Sequence, residues 1–186
     1  SPKVKDQVLS QGEIVSAKLI ANLLNKKGVK ANFADTRLLI KTNNQFGKAQ
    51  PFENTSEENV IDFFRNQPNE VTQIITGFIG SNLSGETTTL GRNGSNYTAS
   101  LIANFLNAEE FQNYTHVDGI YTANPDLVEN SKKIEKLSYQ EANEMANFGA
   151  NILHAKTIIP LIEKNIPLRI LNTFNADNTG TLIGKE

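Results

Sequence analysis

The run Thr87-Thr88-Thr89-Leu90-Gly91-Arg92-Asn93-Gly94-Ser95-Asn96-Tyr97-Thr98-Ala99 passes from β-branched residues, through two glycines that bracket an arginine, into a helical pattern that continues to Leu106. A strand-to-helix turn of this composition suits an anion. Glycines let backbone N–H groups come close, a helix N-terminus adds partial positive charge, and a guanidinium grips an oxyanion in a bidentate fork. No Gly-Lys-Ser/Thr closes the loop and no G-x-G-x-x-G spacing is present, so it is neither a Walker A loop nor a dinucleotide turn. From spacing alone it reads equally as a tight turn that carries an arginine.

Outward from this loop, strands alternate with helices. Upstream, Val8, Leu9, Val15, Leu19, Ile20, Leu23 and Leu24 recur at helical spacing before Lys26-Lys27-Gly28, predicting a helix over 10–27 with Glu13 at its start. Val29–Ala34 and Leu38–Ile40 read as extended runs. Thr55-Ser56-Glu57-Glu58 has capping-box spacing ahead of a helix ending near Pro68, and Val71–Thr76 reads as a buried strand. Ser84-Gly85 reads as a hairpin-like turn. Downstream, Gln112–Val117 is a predicted strand and Ser138–Glu141 a second capping box, opening a helix that ends near Gly149. A helix over 153–164 and strands at Pro167–Leu171 and Gly180–Ile183 complete the pattern. Such alternation predicts an α/β fold with a mostly parallel sheet and helices on both faces.

In an open α/β sheet, ligands bind beyond the carboxyl ends of the strands. Besides the 90–99 loop, two more loops qualify. Tyr114-Thr115-His116-Val117-Asp118-Gly119-Ile120-Tyr121-Thr122 offers donors and an aromatic wall for a base and ribose, or else a plain Asp-Gly turn beside a packing tyrosine. Asn172-Thr173 with Gly180-Thr181 forms the third. Glu13 is either a dipole partner or a cleft residue, and His154, on an apolar helical stretch, reads as structural.

Composition narrows the classes. A chain of 186 residues with 18 Lys+Arg against 20 Asp+Glu has a net charge of -2 and no long-range field for nucleic acid or an anionic membrane. Absence of cysteine removes disulfides, thiolate metal sites and a cysteine nucleophile, and two histidines leave little for zinc. No apolar run approaches the ~20 residues that span a bilayer, and no signal-peptide pattern opens the chain, so the expected compartment is the cytoplasm. One domain is expected at this length.

The segments Ser10–Glu13, Asp35–Arg37, Phe46–Ala49, Gly77–Ile79, Thr87–Ala99, Thr115–Pro125, Ser138–His154, Ile166-Pro167, Asn172-Thr173 and Gly180–Ile183 together resemble the catalytic domain of aspartokinases, in the amino-acid kinase superfamily. The kinase part of bifunctional aspartokinase–homoserine dehydrogenases is the nearest form of that resemblance. It covers residues 1–186 and implies a three-layer α/β/α sandwich. The implied reaction moves the γ-phosphoryl group of ATP to the β-carboxylate of L-aspartate, giving 4-phospho-L-aspartate, the first step towards lysine, threonine and methionine. Mg²⁺ would be held mainly through the nucleotide phosphates. A homodimer is compatible with the family, and neither nucleic acid nor a membrane is an expected partner. On this resemblance Glu13, Arg92, Ser95 and Asn96 bind aspartate. Thr115, His116, Tyr121, Asp126 and Asn151 face the nucleotide, and Arg92, Asn96 and Asn151 stand at catalytic positions.

Departures from the family pattern are charged ones. Its K-F-G-G-T-S segment, with a phosphate-binding lysine, has no counterpart and is expected upstream of Ser1, so the chain is expected to be the C-terminal portion of the catalytic domain. Asn96 and His116 stand where the pattern has Asp, Asp126 where it has Arg, and Asn151 where it has Lys. Twenty-four Asn against six Asp in the chain account for Asn96 and Asn151 as drift, but not for His116 or Asp126. An active kinase domain, a kinase-fold binding or regulatory module that has lost phosphoryl transfer, and a relative acting on another carboxylate or carbamate are the readings left to compare.

Overall fold

A computed structural model describes residues 1–124, 127–147 and 155–185. The chain divides into two units, Ser1–Leu106 and Asn107–Glu186.

The first unit opens with α1, Pro2–Lys26, where Ser1 caps the helix from the preceding position and Pro2 fits the first turn, whose N–H groups need no intrahelical acceptor. The helix begins well before residue 10. Glu13 therefore sits in its middle, not at its start, and gains nothing from the helix dipole. Its buried stripe is Asp6, Ser10, Ile14, Ala17 and Ala21, whereas Val8, Val15, Leu19 and Leu23 are exposed. Helical periodicity found the helix but pointed to the wrong face, because small and polar residues make the close contacts. Lys26 and Gly28, at φ +84°, end it.

Strand β1 (Ala31–Ala34) pairs in parallel with β3 (Thr72–Ile75). Between them, Leu38 and Leu39 of the expected extended run at 38–40 are instead the end of a short helix, α2 (Thr36–Leu39), and Ile40 alone of the three is extended. Asp35 caps it by accepting from the Arg37 N–H, and this local bond outweighs the β preference of the apolar residues. The strand that follows, β2, is Lys41–Thr42. It runs parallel to β4 (Ile79–Asn82), which turns back through Gly85 into antiparallel β5 (Thr87–Thr89). The helix α3 (Glu53–Arg65) starts ahead of the expected capping box. Phe52 occupies its cap without a side-chain bond, and Ser56 lies inside, where its Oγ accepts from the Lys41 N–H. Helix α4 (Gly94–Phe105) packs on α2 and α3 through Leu39, Ile40, Val60, Leu101, Ile102 and Phe105, each such buried side chain being worth about 1.5–3 kcal/mol.

The second unit pairs β6 (Phe111–Thr115) in parallel with β10 (Leu168–Asn172). The sheet continues through antiparallel β11 (Thr181–Gly184) to parallel β9 (Lys136–Ser138). A small ribbon of β7 (Ile120–Tyr121) and β8 (Lys133–Ile134) stands apart. Helix α5 (Tyr139–Asn147) opens with the expected capping box. The Ser138 N–H and hydroxyl donate to the Glu141 carboxylate at 2.8 Å, and the Glu141 N–H donates back to Ser138 Oγ at 3.2 Å. Those contacts hold the Glu141 carboxyl below its usual range. Helix α6 is Ala155–Lys164. The result is an α/β fold with mixed sheets, in which parallel pairings form the frame and antiparallel strands extend it.

Candidate functional site

The first unit carries a cleft of about 440 Å³ lined by Glu13, Phe78, Gly91, Arg92, Asn93, Gly94, Ser95 and Asn96. All four residues expected to hold an amino acid are therefore on its wall. Arg92 is exposed and has no ion-pair partner among the described residues.

Close backbone approach builds this cleft. Gly91 and Asn93 take positive φ angles of 78° and 56°, which turn the chain from β5 into α4. Asn93 caps α4 without a side-chain hydrogen bond; the Gly94 N–H donates to the Gly91 carbonyl at 3.0 Å, and the Ser95 and Asn96 N–H groups keep their capacity for an external acceptor. Opposite lies Gly77, where a Cβ would come within 2.9 Å of both Cα and Cβ of Ser95; a Cβ on Gly94 would lie 2.7 Å from Phe78. Only glycine at both places lets the two loops touch. Phe78 has φ +69°, held by its N–H donating to Thr98 Oγ1 at 3.1 Å and its carbonyl accepting from the Leu90 N–H at 2.9 Å. A phenylalanine in that region is strained and persists only where its surroundings over-determine it.

Electrostatics set the two walls against each other. Burial pushes the Glu13 carboxyl above the usual range, and the Gly77 N–H, donating to it, offsets this only in part. Across the cleft, Arg92 and the start of α4 provide the positive side. The cleft thus offers a negative and a positive group to one small molecule. Elsewhere in the unit, Arg37 clamps Asp35 in a bidentate pair, with Nη2–Oδ2 at 2.6 Å and Nε–Oδ1 at 3.0 Å. Burial pushes the Asp35 carboxyl up, but Arg37 outweighs it and holds the group below its usual range.

In the second unit, Thr115 ends β6, His116 is exposed beside it with Nδ1 3.4 Å from Thr115 Oγ1, and Tyr121 pairs with Lys133 across β7 and β8. Asp118 accepts from Asn172 Nδ2 at 2.7 Å and from Asn175 Nδ2 at 3.1 Å. The Thr173 N–H donates to the Thr115 carbonyl at 2.8 Å. The Asp118-Gly119 turn and the Asn172-Thr173 loop are therefore one structure. Thr181 Oγ1 accepts from the Ile120 N–H and donates to the Ile134 carbonyl, locking β7 and β8 to β11. Asp126, Asn151 and His154 lie outside the described residues.

Sequence reasoning did not single out Phe78 as a cleft residue. The close pair of glycines at 77 and 80 was the available signal, but nothing local marks Phe78 as taking a positive φ.

A loop that presents an arginine and a helix start, in one cleft with a half-buried carboxylate, suits a small molecule that carries both charges. The model of the amino acid kinase family matches residues 2–172, and the chain belongs to that family. Within it the relatives are aspartokinases, including bifunctional aspartokinase–homoserine dehydrogenases. The chain is 39% identical over 183 residues to lysine-sensitive aspartokinase 3 of Escherichia coli, covering 98% of this chain and 41% of that protein. It is 37% identical to the chloroplastic bifunctional aspartokinase/homoserine dehydrogenase 2 of Zea mays, covering 97% of this chain and 20% of that one. The crystal structure of E. coli aspartokinase III in complex with aspartate and ADP superposes with a TM-score of 0.95 at 38% identity, over 100% of this chain and 42% of that chain. Clostridium acetobutylicum aspartate kinase gives 0.82 at 34% identity, over 97% of this chain and 39% of that chain. The chain thus spans about two-fifths of the single-function relatives. Among the described residues no helix is long and apolar enough to cross a membrane.

Proposed function

We infer that this chain is part of an aspartate kinase of the cytoplasm, and that its first unit holds L-aspartate while its second contributes nucleotide-binding loops. The observation that carries this reading is the cleft itself, with Glu13 on one wall and Arg92, Ser95 and the start of α4 on the other. An α-amino acid presents an ammonium and a carboxylate in the same order. Glu13 pairs with the ammonium. Arg92 grips the α-carboxylate, assisted by Ser95 and the first-turn amides, so the β-carboxylate is left free to react. Its oxygen attacks the γ-phosphorus of ATP, ADP leaves, and 4-phospho-L-aspartate forms.

Phosphoryl transfer asks the protein to align two anions and neutralise developing charge, and needs no covalent intermediate on the enzyme. Thr115, His116 and Tyr121 would line the nucleotide pocket, with Asp126 and Asn151 assigned to it by resemblance alone. Among the described residues no group of three or more His, Asp or Glu side chains is gathered to hold a metal. By the resemblance, Mg²⁺ would be held mainly through the ATP phosphates and would supply charge neutralisation there. Asn96 lines the cleft but carries no charge to orient substrate.

That last residue favours a second reading, a kinase-fold module that binds aspartate without turning it over. Charge-assisted contacts are worth about 1.5–3 kcal/mol each, so losing several slows transfer severely. A hydroxamate assay on the complete protein separates the two. Acyl phosphate trapped as hydroxamate in the presence of ATP, Mg²⁺ and aspartate supports the kinase. Aspartate binding by calorimetry without any hydroxamate supports the module, and absence of both ends the aspartate reading.

A further inference from the structure

The most buried carboxylate of the first unit lies outside the cleft. Asp6, fully buried on α1, accepts from the Gly47 N–H at 2.8 Å and the Thr89 N–H at 2.9 Å through Oδ2, and from the Thr89 hydroxyl at 2.9 Å through Oδ1. It therefore ties three pieces of chain together: α1, the Phe46–Ala49 loop, and the last residue of β5. Each piece leads to the cleft. Glu13 lies two turns further along α1 on nearly the same face, about 10 Å from Asp6 along the axis. Thr89 is three residues before Arg92. Gly47 supports the turn between them, for its carbonyl would lie 3.2 Å from a Cβ on Gly91.

A fully buried carboxylate is hard to explain by stability alone, because desolvating it offsets much of what its contacts return. A hydrophobic residue would seat α1 on β5 with less penalty, but it could not register the helix against two backbone N–H groups at once. We propose that Asp6 is the positioning residue of the cleft, setting the separation of the Glu13 wall from the Arg92 wall and thereby the length of amino acid accepted. This rests on the aspartate reading of the cleft, and it concerns geometry that exists with or without a ligand.

Two measurements test it. In Asp6→Ala, aspartate affinity by calorimetry is expected to fall about ten-fold or more, while Asp6→Asn, whose amide oxygen can still accept from both N–H groups, recovers most of it. Because Asp6→Ala strands three donors, the Gly47 N–H and the Thr89 N–H and hydroxyl, and could unfold, Thr89→Val serves as a milder variant that removes only the hydroxyl bond; it is expected to weaken aspartate about two-fold to three-fold. Independently of any ligand, the Glu13 carboxyl is followed by carbon-13 NMR across pH. Its raised titration is expected to return towards the ordinary range in Asp6→Ala and partway in Thr89→Val, as the cleft opens to water. If the Glu13 titration is the same in the wild type and every variant that folds, or if Asp6→Asn is impaired as much as Asp6→Ala, the proposal is overturned. A wild type whose Glu13 titration responds to these changes, yet which ignores aspartate, sinks the substrate reading and leaves the positioning role standing.

Discussion

In the first unit the polar groups of the cleft are left facing space, whereas in the second the polar groups of the candidate nucleotide loops are spent on one another. Glu13 takes one backbone donor and Arg92 has no ion-pair partner among the described residues. By contrast, Asp118 is filled by two asparagine amides and Thr181 by two backbone groups. A charged group without a protein partner awaits a ligand charge. A group already satisfied shapes a surface through backbone and apolar walls, which suits the neutral base and ribose of a nucleotide. Changing one unit should therefore affect one ligand, and the size of the effect should follow how charged the altered contact is.

The largest effect is expected from Gly180→Ala. Gly180 has φ +70°, and a Cβ there would lie 1.9 Å from the Ile170 carbonyl oxygen, so β10 and β11 must separate. Left-handed strain together with backbone overlap should cost on the order of 3 kcal/mol or more. Thermal unfolding by circular dichroism should show an early transition of the second unit, with nucleotide binding lost and aspartate binding retained. Loss of both ligands together would break the division of labour.

Next comes Arg92→Ala. Removing the guanidinium should weaken aspartate by about a hundred-fold, at the upper end of a charge-assisted contact, and leave nucleotide affinity within about two-fold. Calorimetry with each ligand reads both. A uniform drop would mean that Arg92 serves the fold or the nucleotide.

Glu13→Gln should weaken aspartate about ten-fold and also remove a pH dependence. Only the ionised carboxylate attracts an ammonium, and burial raises the pH at which it ionises. In the wild type, aspartate affinity should fall as pH drops through that raised value; in the variant this component should vanish. For stability the sign is opposite. The folded state holds this proton more tightly than the unfolded one, so Glu13's contribution is most favourable below the unfolded pKa and is lost as pH rises through the folded pKa.

How much of this was legible in the sequence depended on what a residue needs. Alternation of helices and strands followed from short-range patterns, as did the Ser138–Glu141 cap, whose partners are three residues apart. The glycine-bracketed arginine at 90–99 announced a strand-to-helix turn because glycine and helix propensity act locally. The Thr55–Glu58 spacing failed because Ser56 is used by a distant partner, the Lys41 N–H. The buried face of α1 failed because tight packing selected Ala17, Ala21 and a carboxylate over larger apolar residues. Gly77 against Ser95, and Asp6 against Gly47 and Thr89, are contacts between segments far apart in the chain. No local pattern encodes them, although the resemblance to aspartokinases had already grouped most of the segments involved.

The smallest effect should come from Asp118→Asn, which tests the second unit's side of the comparison. Asp118 Oδ1 accepts from both Asn172 and Asn175, and Oδ2 accepts again from Asn175 at 3.2 Å. An asparagine can keep its oxygen on Asn172, but its amide nitrogen must then face the Asn175 amide, donor against donor. One exposed hydrogen bond is lost and the Asn175 turn loosens, while the Thr173-to-Thr115 backbone bond still holds the loops together. Because such a bond is worth about 1 kcal/mol or less, nucleotide affinity should fall only about three-fold to five-fold and aspartate affinity should not change. A hundred-fold loss of nucleotide would mean that the Asp118 carboxylate itself meets the ligand, and the contrast between an open charged cleft and a self-satisfied loop pair would then fail on its second half.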